Sequence, residues 1–219
     1  MSTRTVEPSR DSISDQSRRP PTATAQALGV LVVENHEWLR SRLCSLLDTE
    51  PGLRLAGVAE SAEEAMWMAD SEPTDVAVVG HRARSRSGFW LCRELKRTTA
   101  PPAVVICSAY SDGVLAACCV VAEADALVSR YDCDAELSVV LRRVGLGARL
   151  LPTVPPRVGA MLHERLDPAE HAIFSMLLAG IPAVDVARGL RISHAELESH
   201  RSTLLEKLEM LPPTSGMRY

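Results

Sequence analysis

The residue types that could carry out chemistry are sparse and scattered along this chain. The sequence has no Gly-x-Ser-x-Gly nucleophile motif, no phosphate-binding P-loop and no set of residues with metal-ligand spacing. None of its six cysteines forms a Cys-x-x-Cys pair or lies at a zinc-like spacing from a histidine: Cys44, Cys92, Cys107, Cys118, Cys119 and Cys133. Because most of them lie within apolar runs, we expect reduced thiols that act as small hydrophobic side chains. The sequence therefore predicts a protein that is not an enzyme and that uses no metal or cofactor.

The overall composition narrows the class of protein further. The chain has 219 residues, is 46% hydrophobic, and has a formal net charge of −4, which argues against a protein that coats nucleic acid by bulk positive charge. No apolar run approaches the ~18–20 residues that span a bilayer. The N-terminus is rich in Ser, Thr and Arg and lacks the apolar segment of a secretory signal. We therefore expect a cytoplasmic protein that makes no contact with a membrane.

Five short apolar runs rich in valine indicate the elements of a sheet. The runs are Leu28–Val33, Leu53–Ala59, Val76–Val79, Ala103–Cys107 and Ala126–Val128. Such runs are typical of strands buried on both faces of a parallel sheet. Helical stripes of apolar residues lie between them, and Ser61 is predicted to cap the second helix, with Glu64 three residues on. The pattern predicts an α/β, doubly wound, five-stranded parallel sheet over residues 27–145.

Three further segments have compositions that do not build a core. Residues 1–26 contain nine Ser or Thr and almost no large apolar residue, so we expect a disordered tail. Residues 146–164 carry three prolines and two glycines, which is typical of a linker. Residues 211–219 begin with a leucine and two successive prolines and are predicted to be a C-terminal tail.

The pattern changes from strands to helices in residues 165–210. One helix is predicted over Leu166–Ala179, with Asp167 as its cap, and a short second helix over Val184–Leu190. Ser193 is predicted to cap a third, longer helix. Two helices joined by a tight turn are typical of a helix-turn-helix motif, and an unrelated small helical bundle is the alternative.

Short motifs follow one another in a fixed order through this C-terminal part. They are Leu166-Asp167-Pro168-Ala169-Glu170, Leu178-Ala179-Gly180, Val186-Ala187, Leu190-Arg191-Ile192-Ser193, Leu197 with His200, and Lys207-Leu208. With these motifs the chain resembles two-domain bacterial response regulators, in which a receiver domain precedes a LuxR-type helix-turn-helix output domain. The resemblance covers residues 28–209. It implies a receiver-like sheet domain, followed by a small all-α domain that binds DNA and regulates transcription.

The same resemblance implies a receiver pocket whose chemistry is incomplete. In the family, an acidic pair after the first strand and an Asp after the third hold Mg²⁺, and that Asp accepts a phosphoryl group. A Ser or Thr and a Lys after the last two strands bind the phosphoryl oxygens. The corresponding residues here are Glu34, Asn35, Gly80, Ser108 and Arg130. Gly80 has no side chain and cannot form an aspartyl phosphate, and Arg130 keeps the charge of lysine but not its compact ammonium. We therefore expect no phosphoacceptor, no bound metal and a regulator that is independent of phosphorylation.

The loop after Gly80 is rich in arginine and leaves three interpretations open. Arg82, Arg84 and Arg86 raise the local potential. The degenerate pocket could bind an anion or another small ligand, an arginine could fill it and pair with Glu34, or the loop could simply be solvated. Leu127 stands where the family usually has an aromatic switch residue, so we do not expect a switch through an aromatic side chain at this position.

The predicted recognition helix also departs from the family. Glu196-Leu197-Glu198 stands where the family has a T-V-K segment, and DNA phosphates repel carboxylates. From Leu166 to Tyr219 the chain carries five Lys or Arg against seven acids. Arg191 replaces the glycine of the family's turn and is strained if the turn needs a positive φ. The DNA-binding candidates are Ser193, His194, Glu196, Glu198, His200 and Arg201, and we expect DNA binding that is weak for the protein alone.

Two functions remain open on this basis. The first is an atypical, phosphorylation-independent transcription regulator that binds DNA through residues 182–207. LuxR-type domains usually dimerise through a further helix, which Pro212 and Pro213 do not allow here, so help must come from a protein partner or from a homodimer formed elsewhere. The alternative is a protein-interaction module that has lost DNA binding and regulates a partner regulator or the transcription machinery.

Overall fold

The computed structural model describes residues 27–82, 86–109, 111–131 and 133–212, of which 133–135 are described as backbone only. The predicted N-terminal tail 1–26, Arg84, the side chain of Cys133 and the end of the C-terminal tail from residue 213 lie outside the described residues. Among the helices that are described, none is long and apolar enough to cross a bilayer.

Five parallel strands form one sheet, which confirms the predicted fold class. They are β1 (Leu28–Val33), β2 (Leu53–Ala59), β3 (Val76–Gly80), β4 (Ala103–Ser108) and β5 (Ala126–Ser129), in the order β2-β1-β3-β4-β5. Val30 of β1 lies opposite Leu55 of β2 on one side and Val76 of β3 on the other. All residues of β3 are buried, as expected for a strand covered on both faces. The strand order reverses between β1 and β3, which places their carboxyl ends at the edge where such sheets usually form their sites.

Helices cover both faces of the sheet. They are α1 (Glu37–Thr49), α2 (Ala62–Ser71), α3 (Gly88–Lys96), α4 (Gly113–Ala122) and α5 (Cys133–Gly145). Leu43 of α1 and Leu141 of α5 share one core, and Phe89 of α3 belongs to the core on the opposite face. All residues of α4 except Val120 are buried. A helix that is apolar on all sides must also be covered on the side that faces away from the sheet.

Side-chain caps fix where three of these helices begin. The Ser61 hydroxyl accepts a hydrogen bond of 3.2 Å from the Glu64 amide, which confirms the predicted cap of α2. Ser87 caps α3 and Asp112 caps α4 in the same way. Each cap satisfies an amide that has no partner within its own helix.

Four further helices follow the sheet domain. They are α6 (Pro156–Leu162), α7 (Pro168–Leu178), α8 (Ala183–Leu190) and α9 (His194–Glu209). The segment 146–164, predicted to be a linker, thus contains a helix whose Val158 and Leu162 are fully buried. Pro156 lies in the first turn of α6, where a proline is favoured because no helical partner exists for its missing amide. Prolines and glycines in this segment therefore do not exclude a helix. The predicted limits of the two domains and of the terminal tails stay predictions.

The helix-turn-helix pattern of α8 and α9 is present, and α9 has a second contact outside it. Asp167 and Ser193 cap α7 and α9 as predicted, each in a capping box. Arg191 in the turn has a φ of +57°, which confirms the strained position that replaces the family's glycine. α9 packs along α4, so that one apolar core runs from α2 to the end of α9. The outer side of α4 is therefore covered by α9.

Candidate functional site

The carboxyl end of β3 is filled from a neighbouring strand. A Cβ atom placed on Gly80 would lie 2.5 Å from Oε2 and 3.2 Å from Cδ of Glu34. Nonbonded atoms do not approach that closely, so the Glu34 carboxylate takes up the space in which a side chain at position 80 would begin. The one acid retained from the expected metal-binding pair therefore lies against the position of the missing phosphoacceptor.

Glu34 is held in this place by the backbone around it. The residue is only 6% exposed, and its Oε1 accepts a hydrogen bond of 2.9 Å from the His36 amide. Its own amide donates to the carbonyl of Ala59, 3.1 Å away, and its carbonyl accepts from the Arg40 guanidinium at 3.0 Å. These bonds fix the end of β1 and keep the carboxylate directed at Gly80.

The other pocket residues lie at the same edge of the sheet without completing a metal site. Asn35 is exposed, and Ser108 is buried at the end of β4. The Arg130 amide donates to the Ser108 carbonyl at 2.8 Å, while its guanidinium lies 5.4 Å from the centre of the Tyr131 ring. The pocket thus keeps the hydroxyl of the family and has a guanidinium in place of the ammonium, but a glycine replaces the acceptor and an exposed amide replaces the second acid.

The described part of the loop after β3 turns back as a small hairpin. Arg82 pairs with Ser87 in an antiparallel bridge, and the Arg86 guanidinium lies 5.0 Å from the centre of the Trp90 ring. Burial, and then the nearby Arg82, lower the pKa of His81, so its imidazole stays neutral at pH 7. Positive charge in this part of the loop comes from Arg82 and Arg86, both of which are exposed.

The start of α9 engages two of the DNA-binding candidates in its own cap. The Ser193 amide donates to the Glu196 carboxylate at 2.8 Å, and the Ser193 hydroxyl accepts from the Glu196 amide at 3.1 Å. The bond from the Ser193 backbone, followed by that from its hydroxyl, lowers the pKa of Glu196. The charge of Glu196 thus stabilises the N-terminus of α9, where a helix favours an anion.

Two other candidates, Glu198 and Arg201, are buried against the receiver-like domain. Glu198 is 5% exposed and Arg201 is 2% exposed. Glu198 Oε2 accepts from the Arg93 guanidinium of α3 at 2.7 Å, and its Oε1 accepts from Arg201 at 2.6 Å. Burial opposes ionisation of Glu198, but the hydrogen bonds and charges of Arg93 and Arg201 outweigh it and lower its pKa. Glu123, which follows α4, joins this group through an ion pair with Arg201. We call the residues Arg93, Glu123, Glu198 and Arg201 the interdomain ion network.

Arg201 makes most of its contacts with the C-terminal end of α4. Its Nε and one terminal nitrogen donate to the Val121 carbonyl at 2.9 and 2.7 Å. The same terminal nitrogen lies 3.0 Å from the Glu123 carboxylate. Arg93 in turn donates to the hydroxyl of Ser202 at 2.7 Å and to the carbonyl of Glu198 at 2.9 Å. Donors of both guanidiniums are thereby satisfied between the two domains, with the Arg93 Nε left as the buried atom without a partner among the described residues.

A third contact joins α9 to the loop beside the pocket. Burial raises the pKa of Glu209 near the end of α9, and the nearby hydroxyl of Ser87, which caps α3, partly offsets this effect. A Cβ atom on Gly88 would collide with the carbonyl oxygen of Gly80, so a glycine is required for the loop to pack this closely. Ser87, at the end of the loop beside the pocket, therefore lies near the end of α9.

In this structure part of the charged surface of α9 is covered, and the assignment of the DNA-binding candidates stays a prediction. Glu198 and Arg201 face α3 and α4, and the exposed residues of α9 include His194, Glu196 and Glu206. The sequence reasoning missed Arg93 and Glu123, which complete the interdomain ion network. The continuous apolar composition of α4 was the signal for a second covered side, because α4 could not leave its outer side in water.

His200 is half-buried and lies beside the start of α7. A ligand atom of His200 lies within 4.8 Å of atoms of Asp167 and Glu170, an arrangement that could hold a cation. Asp167 and Glu170 form the capping box of α7, however, and Lys207 Nζ lies 2.7 Å from Glu170 Oε1. The ammonium and the N-terminus of α7 already supply the positive charge that these carboxylates need.

Comparison with known proteins assigns the family. Residues 30–138 match the model of the response regulator receiver domain. The chain belongs to the response regulators. It is 28% identical over 194 residues to the DNA-binding transcriptional activator DevR/DosR of Mycobacterium tuberculosis, covering 83% of this response regulator and 88% of that protein. It is 21% identical over 193 residues to the response regulator UvrY of Escherichia coli K12, covering 84% and 88%.

Solved structures match the fold of this response regulator over both domains. RcsB of Salmonella enterica serovar Typhimurium, bound to a promoter, gives a TM-score of 0.55 at 14% identity and covers 85% of this chain and 94% of that one. A LuxR-family response regulator of Aurantimonas sp. gives a TM-score of 0.51 at 19% identity, covering 64% and 98%. The sheet domain followed by a helical C-terminal region is therefore an architecture shared with other response regulators.

Proposed function

We propose that this response regulator is a cytoplasmic transcription regulator that acts without phosphorylation of its receiver pocket and binds DNA through residues 182–207. The observation that carries the proposal is the Glu34 carboxylate against Gly80, where an acceptor side chain would begin. The chain offers no aspartate at that position, and a buried glutamate fills the space. The likeness to DevR/DosR, which is named a DNA-binding transcriptional activator, supports the DNA-binding part.

Incubation with acetyl phosphate and Mg²⁺ tests the first half of this proposal. We expect no acid-labile phosphoryl group on the receiver-like domain, because Gly80 provides no oxygen and Asn35 provides no second carboxylate for the metal. Intact-mass spectrometry under neutral conditions is the measurement, and the Glu34→Gln variant is the control for transfer to the one pocket carboxylate. A phosphoryl group on Glu34, or on any aspartate of the pocket edge, would contradict the proposal.

DNA binding through α9 requires that α9 leaves α4. Arg201 and Lys207 are the only Arg and Lys of α9. Arg201 is held in the interdomain ion network, and Lys207 is paired with Glu170. When only a fraction of molecules is open, the apparent affinity for DNA falls by that fraction. We call the form in which α9 packs on α4 the closed form, and the form in which α9 is free the open form. The proposed function therefore includes weak DNA binding by the closed form and stronger binding when a partner, or a second copy of the chain, favours the open form.

The double change Glu196→Thr with Glu198→Lys tests whether α9 faces DNA at all. It removes two repulsive charges, adds one cation, and places a lysine beside Arg93 and Arg201, which favours opening. We expect stronger binding to duplex DNA and a steeper salt dependence, by about 0.9 in the log–log slope for each additional phosphate that the protein neutralises. Glu196→Thr alone is the matched control, since it leaves the interdomain ion network intact. Equal binding by the double variant and the parent at low salt would remove α9 from the DNA interface.

The exposed side of α9 favours one other candidate function. Its exposed residues carry acids and histidine but neither Lys nor Arg. Such a surface suits a protein partner better than a phosphate backbone. If the double variant binds DNA no more tightly than the parent, the chain is better described as an interaction module that regulates a partner regulator or the transcription machinery.

A further inference from the structure

Four of the described helices end in the same backbone motif, and in two of them the residue with positive φ is not a glycine. At the ends of α4, α5, α7 and α8, two successive amides bond back to the helix in the pattern of a Schellman motif. The motif needs a residue with positive φ, and α5 and α7 use Gly147 and Gly180. α4 uses Glu123, at φ +60°, and α8 uses Arg191, at φ +57°. A side chain at such a position is strained, and strain at a fixed position points to a role for the side chain.

The strained backbone places the Glu123 side chain at the domain contact. Its carboxylate lies 3.0 Å from the Arg201 guanidinium, whose other donors bind the Val121 carbonyl and Glu198. The Arg201 side chain is 3% exposed, whereas the Glu123 side chain is 33% exposed. Without Glu123, the Arg201 guanidinium would share the single carboxylate of Glu198 with Arg93 and, at 4.0 Å, with Arg97. The Glu123 carboxylate adds a second negative charge to the interdomain ion network.

We propose that Glu123 is a positioning residue that holds Arg201 of α9 on the receiver-like domain and thereby sets the fraction of molecules in which α9 is free. The role of Glu123 in holding α9 does not depend on the proposed function. Only its effect on DNA binding rests on that function, because Arg201 would be the cation that the closed form keeps away from the DNA phosphates. It explains why a glutamate stands where two other helices of the chain have glycine. Glycine would relieve the backbone but would release the arginine.

Two substitutions separate the carboxylate from the backbone. Glu123→Gln removes the charge and keeps the strained side chain, whereas Glu123→Gly removes both the charge and the strain. The matched control is Arg191→Gly, which relieves the same strain at the end of α8, where the side chain is exposed and outside the contact with α4. Both changes to glycine should stabilise the domain in which they lie, but only the change at Glu123 should free α9.

The chain carries its own reporter of opening. Cys118 of α4 is 1% exposed in the closed form, and burial, followed by the Glu209 carboxylate of α9, raises the pKa of its thiol. Cys92 is fully buried between α3 and α4, where its thiol donates to the Ala122 carbonyl at 3.3 Å. Alkylation of Cys118 by iodoacetamide therefore reports the departure of α9, and alkylation of Cys92 reports unfolding of the receiver-like domain.

The experiment measures both alkylation rates in the full-length chain by residue-resolved mass spectrometry, without DNA. For Glu123→Gln and Glu123→Gly we expect the Cys118 rate to rise at least about fivefold, the lower end of typical coupling between sites, with the Cys92 rate unchanged. Arg191→Gly should leave the Cys118 rate within a factor of about two of the parent. A Cys118 rate that stays at the parent value in either Glu123 variant would overturn the proposal, as would Cys92 and Cys118 rates that rise together.

A parallel titration with duplex DNA distinguishes this proposal from the proposed function. If Glu123→Gly opens the protein and DNA binding also strengthens, both stand. If the Cys118 rate rises but DNA affinity does not change, the role of Glu123 stands and DNA binding through α9 fails.

Discussion

Replacing Gly80 by aspartate should destabilise the protein instead of restoring a receiver pocket. The new Cβ would lie 2.5 Å from Glu34 Oε2, so the Glu34 side chain would have to move and give up its bond from the His36 amide. A hydrogen bond to a charged group contributes about 1.5–3 kcal/mol. Two carboxylates about 4 Å apart repel by about 4 kcal/mol at an effective dielectric constant of 20, unless one of them takes up a proton. Since a proton can be bound, we expect a net loss of about 3 kcal/mol at pH 7.

Urea unfolding of five proteins measures this loss and assigns its cause. The proteins are the parent, Gly80→Asp, Gly80→Ala, Glu34→Ala and the double variant Gly80→Asp with Glu34→Ala. Gly80→Ala adds the steric contact without the charge, so it should be less destabilising than Gly80→Asp. The double variant should lose about 2 kcal/mol less stability than the sum of the losses in the two single variants. Strict additivity, or a Gly80→Asp variant as stable as the parent, would show that Glu34 does not fill the acceptor's space.

Two further predictions concern the C-terminal domain and its contact with the sheet domain. Arg191→Gly should raise the stability of the C-terminal domain by up to about 1 kcal/mol, because glycine adopts the positive φ of the turn without strain; thermal unfolding measures it, and an unchanged or lower midpoint would contradict it. The stabilisation that Glu198 gives the closed form should be complete above the ordinary pKa of a glutamate and should be lost as the pH falls through its lowered pKa, because protonation removes the charge that Arg93 and Arg201 bind. Small-angle scattering between pH 6 and pH 3 should show expansion in the acid range, and Glu198→Gln should be expanded throughout.

The sheet domain was predictable because its elements leave local patterns. The valine-rich runs predicted β1 and β2 with the bounds that the structure shows and the other three strands to within one residue at their ends. Ser61, Asp167 and Ser193 were identified as caps because a short polar side chain before an apolar stripe has few other roles. α6 was missed because its first turn contains a proline, a residue typical of both linkers and helix starts.

The site depended on contacts that leave no local pattern. Glu34 meets Gly80 from a different strand, and Arg93 meets Glu198 across 105 positions of the chain. From the sequence, Glu198 had the appearance of a carboxylate unsuited to DNA. In the structure it is the anion that joins two arginines from two domains. Sequence position could identify the missing acceptor, but not the side chain that fills its place or the surface that covers α9.

DNA binding by the Arg93→Ala variant tests the central claim most directly. Arg93 lies on α3, so this change weakens the interdomain ion network without altering any residue of α9. Titration of a random-sequence duplex library with the parent and the variant should show affinity at least about tenfold higher for Arg93→Ala, because the loss of a hydrogen-bonded charge pair is worth at least about 1.4 kcal/mol in the closed form. The double variant Arg93→Ala with Arg201→Ala should not show this increase in DNA affinity over the parent, since Arg201 is the cation that opening makes available to DNA. An Arg93→Ala variant that binds DNA no better than the parent, or an increase that survives Arg201→Ala, would contradict the account.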